Sequence, residues 1–327
     1  MDTENAEPTS HDDLNNIEDS DDEQLLQYKP KEHESEPKHI MDQSRYLGKR
    51  ALKLNRAIRK NDLEGVRVAL ANGVSPDYPI NMEPSPITLC IRYERLEISN
   101  LLFEHGVQSP QPGDPENGFQ DELLFAAGKG NLEILKALVA YREEKRGYFG
   151  FIPGYFDEAE PIHAAAGGNK TVPGCIGWLL ERGANINEET PQWRLPLHFA
   201  CDRRQLKVEV VRYLLDEGAN VDHVTRYGET AIFLAASRGG GRVVRELLKR
   251  SPRLDAKARS YKKTVLHAAA ENCSLSIIKL LIDAADVYAR DDRGWSILEF
   301  ARHARRTETV QWITENTTLE TLITGPI

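Results

Sequence analysis

Apolar and polar positions recur along this chain with a period close to 34 residues. A short apolar motif opens each period, and its fourth member falls at residues 163, 198, 233, 267 and 299, at spacings of 35, 35, 34 and 32. Related copies begin at Ser85 and Asp121. Self-similarity at such a period is typical of repeat architectures, in which stacked units bury one continuous core.

Each period predicts two helices. The first opens with Ser, Thr, Asp or Glu, whose oxygen accepts from free backbone N–H groups, often with proline at the first helical position and small residues after it. The second has apolar residues at i, i+3 and i+4 and ends in a bulky pair such as Leu214/Leu215. Glycines then stop the second helix as left-handed caps, at Gly73, Gly106, Gly183 and Gly218. The pattern predicts an all-α chain.

These motifs resemble the ankyrin family, whose unit reads Thr-Pro-Leu-His, two alanines, a leucine pair and Gly-Ala-Asn/Asp. The segments 183–187 and 218–222 are similar to its repeat junction. The resemblance covers about residues 50–316 and is strongest from 160 to 300. It implies an α-solenoid of about eight helix-turn-helix repeats with β-hairpin loops. It also implies that the first-helix histidine ties adjacent hairpin loops by hydrogen bonds.

The chain divides into three segments. We expect a disordered acidic tail at 1–44, a repeat domain at 45–316 and a C-terminal tail at 317–327. Within the domain, residues 140–158 are longer than a normal junction and carry six aromatic residues. This extended aromatic loop is either an anchor for a partner or a flap folded over the third repeat.

The acidic charge is concentrated at the N-terminus. The formal net charge is −9, while residues 1–40 hold thirteen Asp or Glu and three Lys, so the remainder is close to neutral. A nucleic-acid binder would be strongly basic, so nucleic acid is not the expected partner. Ser20, followed by three acidic residues, resembles an acidic-directed kinase site. The tail either keeps the protein soluble or folds back on the binding groove and competes with partners.

The sequence predicts an intracellular protein, cytoplasmic and/or nuclear. The N-terminus is acidic, unlike a signal or transit peptide, and no apolar run approaches the roughly 20 residues that cross a bilayer. The four cysteines lie far apart without pairing or metal-ligand spacing, which favours buried thiols in a reducing compartment.

Candidate catalytic chemistry is weak. His163, His198 and His267 recur one per repeat, without carboxylate or cysteine companions at ligand spacing, so we interpret them as structural. The segment 167–171 lacks the final glycine of a phosphate loop and follows a helix instead of a strand. No serine lies in a nucleophile elbow. We therefore expect no enzyme activity, cofactor or metal.

The ankyrin resemblance implies a binding surface on the concave side, built from hairpin tips and the exposed ends of the first helices. By position these residues are Arg92, Tyr93, Lys129, Arg203 and Arg238 at helix ends, and Arg226, Tyr227, Tyr261, Lys263, Arg293 and Trp295 at the tips. A basic and aromatic surface suits an acidic, partly hydrophobic protein segment. Alternatively, the cations are solvated helix ends without a binding role.

We thus expect a monomeric, non-enzymatic adaptor or scaffold that binds one or more proteins. The alternative is a transcription co-regulator in the nucleus. For that role a basic cluster would serve as an import signal, at Lys49, Arg50, Lys53, Arg56, Arg59 and Lys60. The same cluster also suits the polar outer face of a capping helix.

Overall fold

The computed structural model describes residues 50–76, 84–107, 122–146, 160–168, 173–203 and 205–316. The expected acidic tail at 1–44, with Ser20, and the C-terminal tail at 317–327 lie outside the described residues. So do Lys49 and residues 147–158 of the expected aromatic loop.

The described residues contain sixteen helices arranged as eight consecutive pairs, and none of these residues lies in a β-strand. The prediction of an all-α chain of stacked helix pairs is confirmed. The first helices are α1 (50–60), α3 (Pro86–Tyr93), α5 (Glu122–Lys129), α7 (Pro161–Gly167), α9 (Pro196–Cys201), α11 (Ala231–Ser237), α13 (Val265–Asn272) and α15 (Ile297–His303). The second helices are α2 (Leu63–Ala71), α4 (Leu96–Glu104), α6 (Leu132–Arg146), α8 (Pro173–Glu181), α10 (Val208–Asp216), α12 (Gly241–Leu248), α14 (Leu275–Ile282) and α16 (Thr307–Asn316).

Side-chain oxygens start several of these helices as the sequence predicts. Ser85 Oγ accepts from the Thr88 N–H at 3.1 Å, and Thr230 Oγ1 accepts from the Phe233 N–H at 3.3 Å. Pro86 occupies the first position of α3, where its missing donor costs nothing. At the other end of the repeat, the four predicted glycine caps have φ between 78° and 91°. Both ends of the helix pairs were therefore readable from local sequence chemistry.

Small residues let each first helix lie close against the first helix of the next pair. Ala126, Ala165 and Ala269 are fully buried there. A close approach of two backbones joins repeats three and four, since a Cβ added at Gly168 would lie 2.1 Å from the Gly128 carbonyl oxygen. Because protein interiors are close-packed, any added side-chain atom at Gly168 would push these two repeats apart.

Three buried histidines join each repeat to the loop of the next. In each, Nδ1 accepts from the backbone N–H at the helix start, and Nε2 faces a loop carbonyl. The Nε2 distances are 2.9 Å from His163 to Glu188 O, 3.1 Å from His198 to His223 O and 3.2 Å from His267 to Trp295 O. Since Nδ1 accepts, Nε2 must carry the proton and donate. Both ring nitrogens are used by the fold, as the ankyrin resemblance implied.

A second seam of side-chain bonds crosses the repeat junctions. The Asn187 side chain donates to Gly218 O at 3.2 Å and accepts from the Asn220 N–H at 2.8 Å. One repeat further on, Asp222 Oδ1 accepts from the Arg253 N–H at 2.8 Å. The junction positions 187 and 222 therefore fix the spacing between neighbouring repeats.

The expected start of the aromatic loop at residue 140 is wrong. Helix α6 continues to Arg146, so the first seven residues of the expected loop are helical. The Tyr141 ring stacks on Phe103 with 4.7 Å between centroids, and its hydroxyl donates to Val107 O at 2.7 Å. These contacts hold the extra helical turns against the second repeat. Tyr141 is thus a packing residue.

The buried histidines predict that stability falls in mild acid. Burial lowers the pKa of His198 to about 4, and the pKa values of His163 and His267 are also lowered by burial. The unfolded chain takes up these protons near pH 6.5 and the folded chain resists them. Their contribution is therefore complete above pH 6.5 and declines as the pH falls toward 4.

From His198 alone, the free energy of unfolding should drop by about 2 kcal/mol between pH 7 and pH 5. Urea unfolding at pH 7, 6 and 5 measures this. The control variant His198→Gln should be less stable at pH 7 but show a shallower pH dependence. An unfolding free energy that stays constant over this range would contradict the assignment.

Candidate partner-binding surface

The predicted hairpin tips are tight reverse turns, and in each of them a backbone hydrogen bond joins the first residue to the last. In the last four repeats these bonds run from Thr190 N to Arg194 O, Thr225 N to Glu229 O, Ala258 N to Lys263 O and Asp291 N to Trp295 O, at 2.9–3.1 Å. We call the four turns, residues 190–194, 225–229, 258–263 and 291–295, the tip ridge.

Further backbone bonds join neighbouring turns of the tip ridge. The Arg226 N–H donates to Gln192 O at 2.9 Å, and the Arg259 N–H donates to Tyr227 O at 2.7 Å. The last step runs from the Asp292 N–H to Tyr261 O at 2.8 Å. The turns are thus held side by side as one continuous surface.

The predicted helix-end residues lie at the C-terminal ends of α3, α5, α9 and α11. Arg92, Tyr93, Arg203 and Arg238 are exposed, and Lys129 is half-buried, with Nζ 5.3 Å from the centre of the Phe125 ring. Positive side chains at a helix C-terminus are favoured by the helix dipole. The positions of these helix-end cations therefore agree both with solvated helix ends and with a binding role.

Arg238 differs from Arg203 because it is already paired. Its Nε and Nη2 donate to Asp202 Oδ1 at 2.9 and 2.7 Å, and Arg194 Nη2 donates to Asp202 Oδ2 at 2.7 Å. In the described part of the chain, no carboxylate lies within ion-pair distance of Arg203. Arg238 thus braces two repeats, while the Arg203 charge is available to a ligand.

Glu229 lies beside this cluster. Burial raises the pKa of its carboxyl, and the negative charge of Asp202 raises it further. The Glu229 carboxyl therefore takes up a proton more readily than an exposed glutamate does.

Arg293 is the centre of a stack at the end of the tip ridge. Its guanidinium lies 4.7 Å from the Tyr261 ring and 4.3 Å from the Trp295 ring, and Nε donates to Asp291 Oδ2 at 2.9 Å. Burial alone would raise the pKa of Asp291, but bonds from the Trp295 N–H and from Arg293 hold it below its usual value. This cluster is part of the last repeat's own packing.

Lys263 and Trp295 also contribute to that packing. Lys263 Nζ lies 4.5 Å from the Phe300 ring and 3.2 Å from Glu271 Oε2. Trp295 is half-buried and meets Phe300 edge-on at 5.5 Å. Both side chains therefore have structural contacts, whereas Tyr227 points to solvent with 54% of its surface exposed.

The sequence analysis missed Trp193. This side chain is 49% exposed, next to Tyr227 at 54% and Tyr261 at 51%, so three successive turns each carry one exposed aromatic residue. Trp193 has φ 57° at the place where two of the other three turns have Gly228 and Gly294, and the third has Tyr261 with φ 61°. The sequence signal that could have identified Trp193 is a tryptophan at a turn position where other turns have glycine.

The buried thiols do not resemble nucleophiles. Burial raises the pKa of Cys90 to about 12 and those of Cys175 and Cys273 to about 11, and it raises the pKa of Cys201 as well. The thiolate is the reactive form of cysteine, so these values disfavour reaction near neutral pH. Among the described residues, no three His, Cys, Asp or Glu side chains cluster in a way that would hold a metal ion.

None of the described helices combines the length and the apolar character that a membrane crossing requires.

Two family profiles match the C-terminal half of the chain. Residues 162–258 match the profile described as ankyrin repeats (3 copies), and residues 261–292 match the profile described as ankyrin repeat. The matched segments contain the tip ridge up to Asp292, except residues 259 and 260.

Several curated proteins contain a segment that is similar to part of this chain. The chain is 35% identical over 113 residues to the nuclear factor NF-kappa-B p105 subunit of Gallus gallus, covering 33% of this chain and 11% of that protein. It is 30% identical over 144 residues to ankyrin repeat and SOCS box protein 11 of Homo sapiens, covering 44% of this chain and 32% of that protein. The chain thus spans a third or less of the length of these relatives.

A solved structure shares the fold. The crystal structure of the human ASB11 ankyrin repeat domain superposes with a TM-score of 0.56 at 24% identity, covering 69% of this chain and 96% of that domain. At this identity the likeness concerns the fold alone.

The paired and unpaired arginines of the tip ridge predict different effects of substitution. Arg293→Ala removes an ion pair and three ring contacts and should lower the free energy of unfolding by about 1–2 kcal/mol. Arg226→Ala is the matched control, because its exposed side chain has no ion pair within the described residues, and it should change stability by less than about 0.5 kcal/mol. Urea unfolding of both variants tests this; equal losses would contradict the division.

Proposed function

Because this chain is an ankyrin-repeat protein, we propose that it acts as a non-enzymatic adaptor that binds partner proteins through the tip ridge and the adjoining helix ends. Ankyrin repeats are protein-interaction scaffolds, and this chain keeps their first-helix histidines and alanines. The observation that carries the proposal is the ladder of backbone bonds between neighbouring turns. It presents side chains from four repeats on one preformed surface.

A preformed surface matters for affinity. Binding costs free energy when loops and side chains must be ordered, and a surface held by backbone bonds avoids much of that cost. The exposed aromatic residues Trp193, Tyr227 and Tyr261 are of the type that dominates binding energy at protein interfaces. A monomer with this surface is sufficient for the proposed role.

The charge of the surface favours a partner with an acidic segment. Arg92, Lys129 and Arg203 lie at the C-terminal ends of α3, α5 and α9 without an ion pair in the described part of the chain. Arginine pairs well with carboxylates through two parallel bonds, so such a row suits Asp and Glu side chains of a partner. Nucleic acid is less suited, because the chain outside residues 1–40 is close to neutral.

A nuclear regulatory role is the alternative to a cytoplasmic adaptor. The similarity to the p105 subunit of a nuclear factor supports it over 33% of this chain. Lys53, Arg56 and Lys60 form an exposed basic face on α1, which suits an import signal and equally the outer face of a terminal repeat. The compartment that supplies the captured partners distinguishes the two roles.

The proposal is tested by cross-linked capture from cytosolic and nuclear extracts, with identification by mass spectrometry. The double variant Lys129→Glu/Arg203→Glu should lose most of the proteins captured by the native chain, because reversed charges repel an acidic segment. The control Arg67→Glu/Arg245→Glu changes the charge equally on the second helices α2 and α12, where both arginines are exposed.

The control should capture the same proteins as the native chain. If the helix-end variant also captures them unchanged, the proposed surface is wrong. If the captured proteins come only from the nuclear extract, the regulatory alternative replaces the cytoplasmic role.

A further inference from the structure

Trp193 occupies a backbone conformation that its side chain does not favour. Its φ of 57° lies in the left-handed region, which is an outlier for a bulky residue. The same place in two other turns is taken by Gly228 and Gly294, with φ of 75° and 78°. The turn itself thus calls for glycine.

The backbone of Trp193 makes two hydrogen bonds within the fold, and neither of them uses the side chain. The Trp193 N–H donates to Thr190 O at 2.7 Å, and its carbonyl accepts from His223 Nε2 at 3.0 Å. Glycine would satisfy both bonds without strain. About half of the indole remains exposed. Residues kept in unfavourable conformations cluster at binding sites, where the strain accompanies a function.

The three exposed aromatic residues lie in sequence along the stack. The Arg226–Gln192 and Arg259–Tyr227 backbone bonds place the turns of Trp193, Tyr227 and Tyr261 next to one another. A ligand that contacts all three must cross three turns. An extended segment that runs along the ridge meets this requirement.

The charges around this row are unbalanced. Asp291 is paired with Arg293, and Asp292 is paired with Lys262 at 3.3 Å. By contrast, Arg226 and Arg259 are exposed, and within the described residues no carboxylate lies in ion-pair distance of either side chain. These two unpaired arginines alternate with the aromatic residues along the ridge.

We propose that the tip ridge docks an extended peptide segment in which Asp or Glu alternates with large apolar residues, with Trp193 as its anchor. The apolar residues pack on Trp193, Tyr227 and Tyr261, and the carboxylates pair with Arg226 and Arg259. This assignment rests on the proposed function and specifies the chemistry of the partner.

The experiment uses the full chain and a fluorescein-labelled synthetic peptide of alternating Glu or Asp and Leu or Phe, measured by fluorescence anisotropy. The peptide should bind, and Trp193→Gly should weaken binding at least tenfold without lowering the thermal midpoint. Arg226→Ala/Arg259→Ala should also weaken it at least tenfold, and less so at high salt. Tyr288→Ala is the control, since it removes an exposed aromatic residue at a repeat junction outside the ridge, and it should leave binding unchanged.

Three further probes separate the chemistries. Peptides with Lys in place of the acidic residues, or Ser in place of the apolar ones, should bind at least tenfold more weakly. Oligo(dT) tests the rival combination of basic and stacking contacts for single-stranded nucleic acid. Tighter binding of oligo(dT) that depends on Trp193 would overturn the peptide assignment in favour of nucleic acid.

Equal binding of the acidic peptide by the native chain and Trp193→Gly would also overturn it. Should the helix-end variants of the capture experiment lose their partners while Trp193→Gly retains them, the adaptor role stands and only the ridge assignment fails. If the helix-end variant and Trp193→Gly both keep their binding, the adaptor role and the ridge assignment both fail.

Discussion

Hydrogen bonding between one repeat and the next is the constraint on which this structure depends. Each buried histidine donates from its first helix to a loop carbonyl about 25 residues further on, as His163 does to Glu188 and His198 does to His223. The turn amides make a parallel set of bonds along the tip ridge. A single helix pair cannot bury its apolar face alone, so the same contacts that align the turns also complete the core. Stability and the shape of the surface therefore have one origin.

The cations of this surface fall into two groups with different roles. Arg238 and Arg293 are bound to carboxylates of their own or a neighbouring repeat, and they stabilise the turns that they decorate. Arg203, Arg226 and Arg259 are exposed and, in the described ranges, have no acidic partner. The first group makes the surface rigid, and the second group gives it positive charge with which an acidic ligand can pair.

The repeat architecture was predictable because each of its features depends on residues that are close together in the sequence. The helix starts at Ser85 and Thr230, the alanines between neighbouring helices and the caps at Gly183 and Gly218 each follow from a short segment of sequence. The end of α6 was not predictable in this way, because Tyr141 is held by Phe103 and Val107 of another repeat. Nor could sequence spacing separate Trp295, half-buried against Phe300, from the exposed Tyr227. The positional rule marks which residues reach the tips, but their burial depends on neighbours more than thirty residues away.

The central claim is that the tip ridge is already formed in the free protein. Amide hydrogen exchange, resolved by NMR on the full chain, measures this at the N–H groups of Arg226, Arg259 and Asp292, which donate to the neighbouring turn. Exchange at these three amides should be slower by about a hundredfold or more than at Lys262, an exposed residue of the same ridge whose amide makes no bond to another turn. Exchange of these three amides at the rate of Lys262 would show that the turns are not joined and would contradict the central claim.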